Sequence, residues 1–109
     1  MSKEVSLHDN STAPGLGART VQPERPDQEI AVTLSGTGAI SATFQWELGT
    51  GANATIEWCV DTGFPQTLSG TNSVSRVFKI AGGANRARLN LTAISGTGAT
   101  FNAVYSEVG

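Results

Sequence analysis

Few side chains in this sequence are of types that do acid–base or covalent chemistry, and their positions narrow the choice further. His8 is the single histidine. It lies in a stretch without sustained hydrophobic periodicity, so no folded imidazole is expected to serve as a general base or as a member of a nucleophilic triad. Glu47 and Glu57 are the one carboxylate pair of interest. They fall on the polar faces of adjacent predicted strands, and glycosidases set two such groups a fixed distance apart. Solvated charges on a sheet face produce the same pattern, and the expectation is that the chain is not an enzyme. Cys59 is the only cysteine, which excludes an internal disulfide and a thiolate metal cage; between Trp58 and Val60 it reads as a small buried or half-buried thiol. Gly36, Gly38, Gly49 and Gly51 lack the lysine and following helix of a phosphate-binding loop. The triplets beginning at Asn10, Asn53 and Asn90 would accept glycans only in a secreted chain, and the N-terminus has no apolar segment of the secretory kind. No cofactor and no metal are expected.

Charge and size limit the partners. The 109 residues carry a formal net charge of -2, enough chain for one small domain. All of that charge falls in residues 1–29, where Lys3, Arg19 and Arg25 meet Glu4, Asp9, Glu24, Asp27 and Glu29. From Ile30 onward Arg76, Lys79, Arg86 and Arg88 balance Glu47, Glu57, Asp61 and Glu107. No basic cluster could neutralise several phosphates, so no nucleic-acid partner is expected. No apolar run approaches the ~20 residues that span a bilayer as a helix, so no membrane contact is expected either. Eight charges in eighty residues is sparse for a free soluble surface. It suits a subunit of an assembly, although a Ser/Thr-rich β-domain can also stay soluble through its hydroxyls.

The elements that would position these residues are strands. Ile40, Ala42, Phe44, Trp46 and Leu48 alternate with Ser41, Thr43, Gln45 and Glu47, the pattern of a half-buried strand. Ile30, Val32 and Leu34 precede it. Ala54, Ile56, Trp58 and Val60 follow it, so Trp46 and Trp58 are both expected to face the core. Asp61–Pro65 reads as a loop, Gln66–Leu68 as a short edge piece and Ser69–Asn72 as a turn. Between Val74 and Ile80 the phase is ambiguous, because Arg76 shares a face with Val74 and Phe78 whereas Val77 points opposite; a bulge or contact on both sides would explain it. Ala87, Leu89, Leu91 and Ala93, then Ala99, Phe101, Ala103 and Tyr105, make two runs joined by Ser95-Gly96-Thr97-Gly98-Ala99. That pentapeptide repeats Ser35-Gly36-Thr37-Gly38-Ala39 letter for letter, and both copies read as hairpin turns. The fold class is therefore all-β: a small antiparallel β-sandwich or jelly-roll-like domain of about seven strands over residues 30–109.

Residues 1–29 form an extended N-terminal arm in this reading. Pro14, Pro23 and Pro26 break any regular element there, and a stretch of this composition orders by packing on something. Fully extended it reaches on the order of 100 Å. Val5, Leu7, Leu16 and Val21 are its spaced apolar anchors, with Arg19 and Arg25 beside them, and a partner subunit or the arm's own domain could receive them. On the domain, Arg86 and Arg88 share one strand face. They either pair across strands with Glu47 or Glu57 or contact a neighbouring subunit.

The run from Arg86 to Thr100, Arg-Ala-Arg-Leu-Asn-Leu-Thr-Ala-Ile-Ser-Gly-Thr-Gly-Ala-Thr, after the Gly82-Gly83 loop, resembles the ends of small β-sandwich accessory virion proteins of tailed bacteriophages, of the head decoration (cement) or fibre-base type. The resemblance covers roughly residues 30–107 and brings no catalytic residues. It implies a structural virion protein that binds the major capsid protein and copies of itself, commonly as a homotrimer, and stabilises the head. Its location would be the capsid surface, after synthesis in the host bacterial cytoplasm. The other readings are a receptor- or glycan-binding module of a fibre or tail, with Phe64 as the only loop aromatic available to stack on a sugar, and a minor tail or connector component.

Overall fold

The computed structural model describes residues 2–17, 19–22, 27–50, 57–80 and 86–108. It is all-β and antiparallel: β1 (Ser2–Ser11), β2 (Asp27–Thr50), β3 (Glu57–Val60), β4 (Gln66–Ile80) and β5 (Arg86–Val108). They form one five-stranded sheet in the order β1-β5-β2-β3, with β4 pairing to the same side of β2. The alternating runs that suggested about seven strands are present, but several are joined. β2 is one strand of 24 residues and β5 one of 23, paired from Asp27↔Val108 to Gly49↔Arg86.

The two Ser-Gly-Thr-Gly-Ala segments are accordingly not hairpin turns. They lie opposite each other, with Thr37 facing Thr97, in the middle of this long ribbon, where the register shifts. Both strands bend there. Gly38, Gly96 and Gly98 have φ of 75, 122 and 63°, a region open to glycine because it has no Cβ. At Gly96 a Cβ would also stand 2.7 Å from Ile40 Cγ2 and 2.8 Å from the Ala39 carbonyl oxygen. The expected Ser69–Asn72 turn is a third bend of the same kind. β4 runs through it, Asn72 takes φ of 65°, and its Oδ1 accepts a 2.7 Å hydrogen bond from the Gly38 amide.

These aligned bends fold the sheet over on itself, as strands do when they pass from one layer of a sandwich to the other. The upper layer holds β1, residues 100–108 of β5, 27–35 of β2 and 73–80 of β4. The lower layer holds residues 86–95, 39–50, 66–71 and β3. Trp46 of the lower layer stacks on Tyr105 of the upper at 5.8 Å and 10°, and Phe44 meets Phe101 at 5.3 Å and Phe78 at 5.5 Å. Trp46, Phe44, Phe101, Tyr105, Ile30, Leu34, Leu89 and Leu91 are wholly buried. Alternation holds along β2. In β5 a bulge opposite Thr43 and Phe44 changes the phase, so that Ala93, expected to face inward, is exposed and Ile94 takes its place against the core.

The stretch read as an arm contributes a strand to this sheet. β1 pairs with β5 from Ser2↔Val108 to Ser11↔Phe101. Beyond it, Gly15 and Val21 exchange paired backbone hydrogen bonds of 2.8–2.9 Å with Leu91 and Ala87. The N-terminal segment thus follows β5 from the upper layer into the lower. Leu7 and Val21 are buried in the chain's own core, at 0% and 4% exposure, so in this chain they are not surface anchors. Their spacing conceals this, because the register shift between Ser6 and His8 turns two successive residues, Leu7 and His8, inward.

Candidate functional site

Three polar assemblies stand out, and the first lies on the outer face of the lower layer. Gln45 and Glu47 on β2, Arg88 and Asn90 on β5 and Trp58 on β3 converge because Glu47 faces Arg88 and Val60, and Gly49 faces Trp58, across the register. The Glu47 carboxylate accepts from Arg88 Nε at 2.6 Å, Gln45 Nε2 at 2.6 Å and Asn90 Nδ2 at 3.0 Å. It is 5% exposed. Burial pushes its pKa up, but the three donors and the Arg88 charge outweigh burial and hold it below the usual glutamate value. Arg88 also lays its guanidinium over the Trp58 ring, 3.9 Å from the centroid, a cation–π contact. Of the two alternatives for Arg88, the structure shows the cross-strand pair with Glu47.

Trp58 is therefore not a core residue. It sits opposite Gly49, an odd-numbered position whose side of β2 is the outer one, so the residues expected to face inward along β3 face outward; Val60 is 43% exposed. Cys59 is exposed rather than buried. Glu57 lies opposite Thr50, three positions along β3 from the partner of Glu47, so the two carboxylates are not set side by side.

The second assembly is buried where the two layers face each other. Tyr105 donates a 2.6 Å hydrogen bond to Glu107 Oε2, and Glu107 has no exposed surface. Gln28, opposite Glu107 in the register, is buried as well, and Trp46 stacks on Tyr105. An inward carboxylate at the end of an alternating run carries a sequence signal, since Ala103, Tyr105 and Glu107 share a parity. The hydrophobic pattern ends at Tyr105, however, and leaves Glu107 looking like a terminal surface charge.

The third is His8, expected in a free arm and found 2% exposed. Its Nε2 lies 2.8 Å from the Leu89 carbonyl oxygen and its Nδ1 2.9 Å from Ser11 Oγ. A neutral ring with its proton on Nε2 satisfies both, donating to Leu89 and accepting from the Ser11 hydroxyl. The ring meets Phe101 edge-on at 5.3 Å. Burial lowers its pKa below 6.5, partly opposed by the Leu89 bond. Leu89 lies in the lower layer between the two bridges made by Gly15 and Val21, so His8 ties β1 to the opposite layer where backbone pairing is interrupted.

Of the other expected contact residues, Val5 is half-buried against the core, Leu16 is 47% exposed, and Arg19 and Arg86 are exposed. Leu16 and Arg19 lie in the segment between the Gly15 and Val21 bridges to β5, and Arg86 is the first residue of β5. Arg25 lies outside the described residues. Phe64, the loop aromatic, is half-buried, with ring contacts of 6.3 Å to Phe44 and 5.8 Å to Phe78.

The fold as a whole is shared with a solved structure. The SPBc2 prophage-derived protein YomS superposes with a TM-score of 0.56 over 98% of this chain and 94% of its own, at 17% sequence identity. The two share a fold. No protein-family profile matches the sequence, and no curated protein matches it.

Proposed function

We propose that the chain is a structural protein of a tailed-phage particle, a decoration protein that binds assembled major capsid protein together with copies of itself and stabilises the head. The observation that carries this reading is the likeness over nearly the full length of both chains to a prophage-derived protein. The chain's own chemistry is consistent with it. Residues 30–109 have no net charge; the Glu47 carboxylate is occupied in tying β2 to β5, and Glu107 is buried with its Tyr105 hydrogen bond. Head-binding surface would come from exposed residues such as Leu16, Arg19 and Arg86. The reading involves no catalysis, cofactor, nucleic acid or membrane.

The test is the composition of the parent particle. Quantitative mass spectrometry of purified virions should find the chain in a copy number commensurate with the capsid lattice, and tail-free heads should retain it. A few copies, confined to tails, would move it to a fibre or connector, and absence from virions would sink the proposal.

A further inference from the structure

Among the described residues the upper layer ends in two strands that are paired on one side only, β1 with β5 and β4 with β2. β4 is 15 residues long, contains no proline, and pairs with β2 without a register break from Ser73 to Ile80. An edge of that length presents a row of backbone donors and acceptors to another strand. Its side chains are open too: Val77 is 56% exposed, Lys79 is exposed, and Val74 and Phe78 are half-buried.

We infer that β4 pairs with β1 of a second copy of this chain, head to tail, so that copies close into a ring. This deepens the reading of a self-associating virion protein. The direction of the strands favours it. In the upper layer β1, β5, β2 and β4 alternate in direction, so the two edges run oppositely. A copy rotated about an axis parallel to the strands brings its β1 antiparallel to β4, continuing the same ladder.

The register follows from the symmetry. In a closed ring neighbouring copies are related by rotation without translation along the axis, which joins each rung of one copy to the same rung of the next. One rung runs Glu4–Ser106–Glu29–Lys79, so Lys79 meets the next copy's Glu4. Both are exposed, and both belong to the outer face. The rung beside it, Val5–Tyr105–Ile30–Phe78, sets Phe78 against the next copy's Val5, two half-buried apolar groups at the rims of their cores. The third, Ser6–Val104–Ala31–Val77, covers Val77 with Ser6.

Charge selects this pairing over the alternative of two β4 strands meeting about a two-fold axis. β4 carries Arg76 and Lys79 and no acidic residue, whereas β1 carries Glu4 and Asp9 against Lys3. Like charges brought together across strands oppose pairing and opposite charges favour it.

The experiment uses the full-length chain without capsids, so that it can fail independently of the virion reading. Light scattering over a concentration series should show a discrete closed oligomer. Glu4→Lys, which leaves the neutral Ser106 as its neighbour within the chain, should weaken association about tenfold or more, with the melting of the dissociated chain unchanged. Adding Lys79→Glu in the same chain should restore association. In a Cys59→Ser background, Ser6→Cys and Val77→Cys proteins should form an intermolecular disulfide only when mixed. A monomer at every concentration that stays soluble, Glu4→Lys without effect, or disulfide dimers from Val77→Cys alone would overturn the inference. A chain that coats heads but stays monomeric in solution and on the head would do so as well, while leaving the virion reading standing.

Discussion

Individual side chains divide into those that hold the two layers together and those that decorate them, and the two tryptophans mark the division. Trp46 is wholly buried against Tyr105. Trp46→Ala is expected to cost about 3 to 5 kcal/mol, the range for removing a large aromatic from a close-packed core. Trp58 is half-exposed on the outer face, and its partner is the Arg88 guanidinium. Trp58→Ala should cost about 1 kcal/mol, in line with an exposed cation–π contact. Chemical denaturation of both variants checks the pair, and equal losses would mean that the faces of β3 are misassigned. Glu47 shows why a surface-parity carboxylate can nonetheless be buried. Three donors converge on it, and each replaces a water that burial removes.

At the scale of elements, the bends and the N-terminal strand carry the architecture. Gly96 combines φ of 122° with a position where a Cβ would strike Ile40 and the Ala39 carbonyl, whereas Gly98 has φ of 63° and open space around it. Gly96→Ala should therefore destabilise more than Gly98→Ala, by about 1 to 3 kcal/mol for the strained backbone plus the clash. Thermal melting of the two single variants ranks them. β1 is held by Leu7 and by the bond from His8 to Leu89. Deleting residues 1–22 strips Leu7 and Val21 from the core and exposes the β5 edge. The truncated chain is expected to lose cooperative melting, and one that melts as the full chain does would show that the N-terminal segment is dispensable. Leu7→Ala alone should cost about 2 to 5 kcal/mol.

At the scale of the molecule, the pKa shifts of His8 and Glu47 point the same way. Folding lowers the pKa of His8 from 6.5 and that of Glu47 from 4.5. In each case the unfolded chain binds the proton more readily, so each group's contribution is present above its unfolded pKa and is lost as pH falls toward the folded value. The stability that these two groups contribute should be level above about pH 7. It should begin to decline as pH falls below 6.5 through His8 and decline again below 4.5 through Glu47. Urea denaturation at several pH values tests the sign. His8→Asn should flatten the upper step and leave the lower one, and a protein that grows more stable between pH 7 and 5 would contradict the burial of His8.

Much of this was legible in the sequence for a simple reason: a strand half-buried in a sandwich must alternate. Ile30 to Leu48 and Ala99 to Tyr105 do so, and that pattern with frequent glycine settles the all-β class and most of the core. Local pattern could not tell whether a Ser-Gly-Thr-Gly segment reverses the chain or bends it, because both uses need the same left-handed glycines. Only the pairing of one repeat across from the other, sixty residues away, decides for a bend. The N-terminal stretch was hidden likewise, since its bulged register places Leu7 and His8 on the same side and its contacts with β5 lie at the far end of the sequence. The outer Glu47 cluster, the buried Glu107 and the open β4 edge are also products of tertiary structure. Each depends on which strands lie side by side, and long-range backbone pairing sets that.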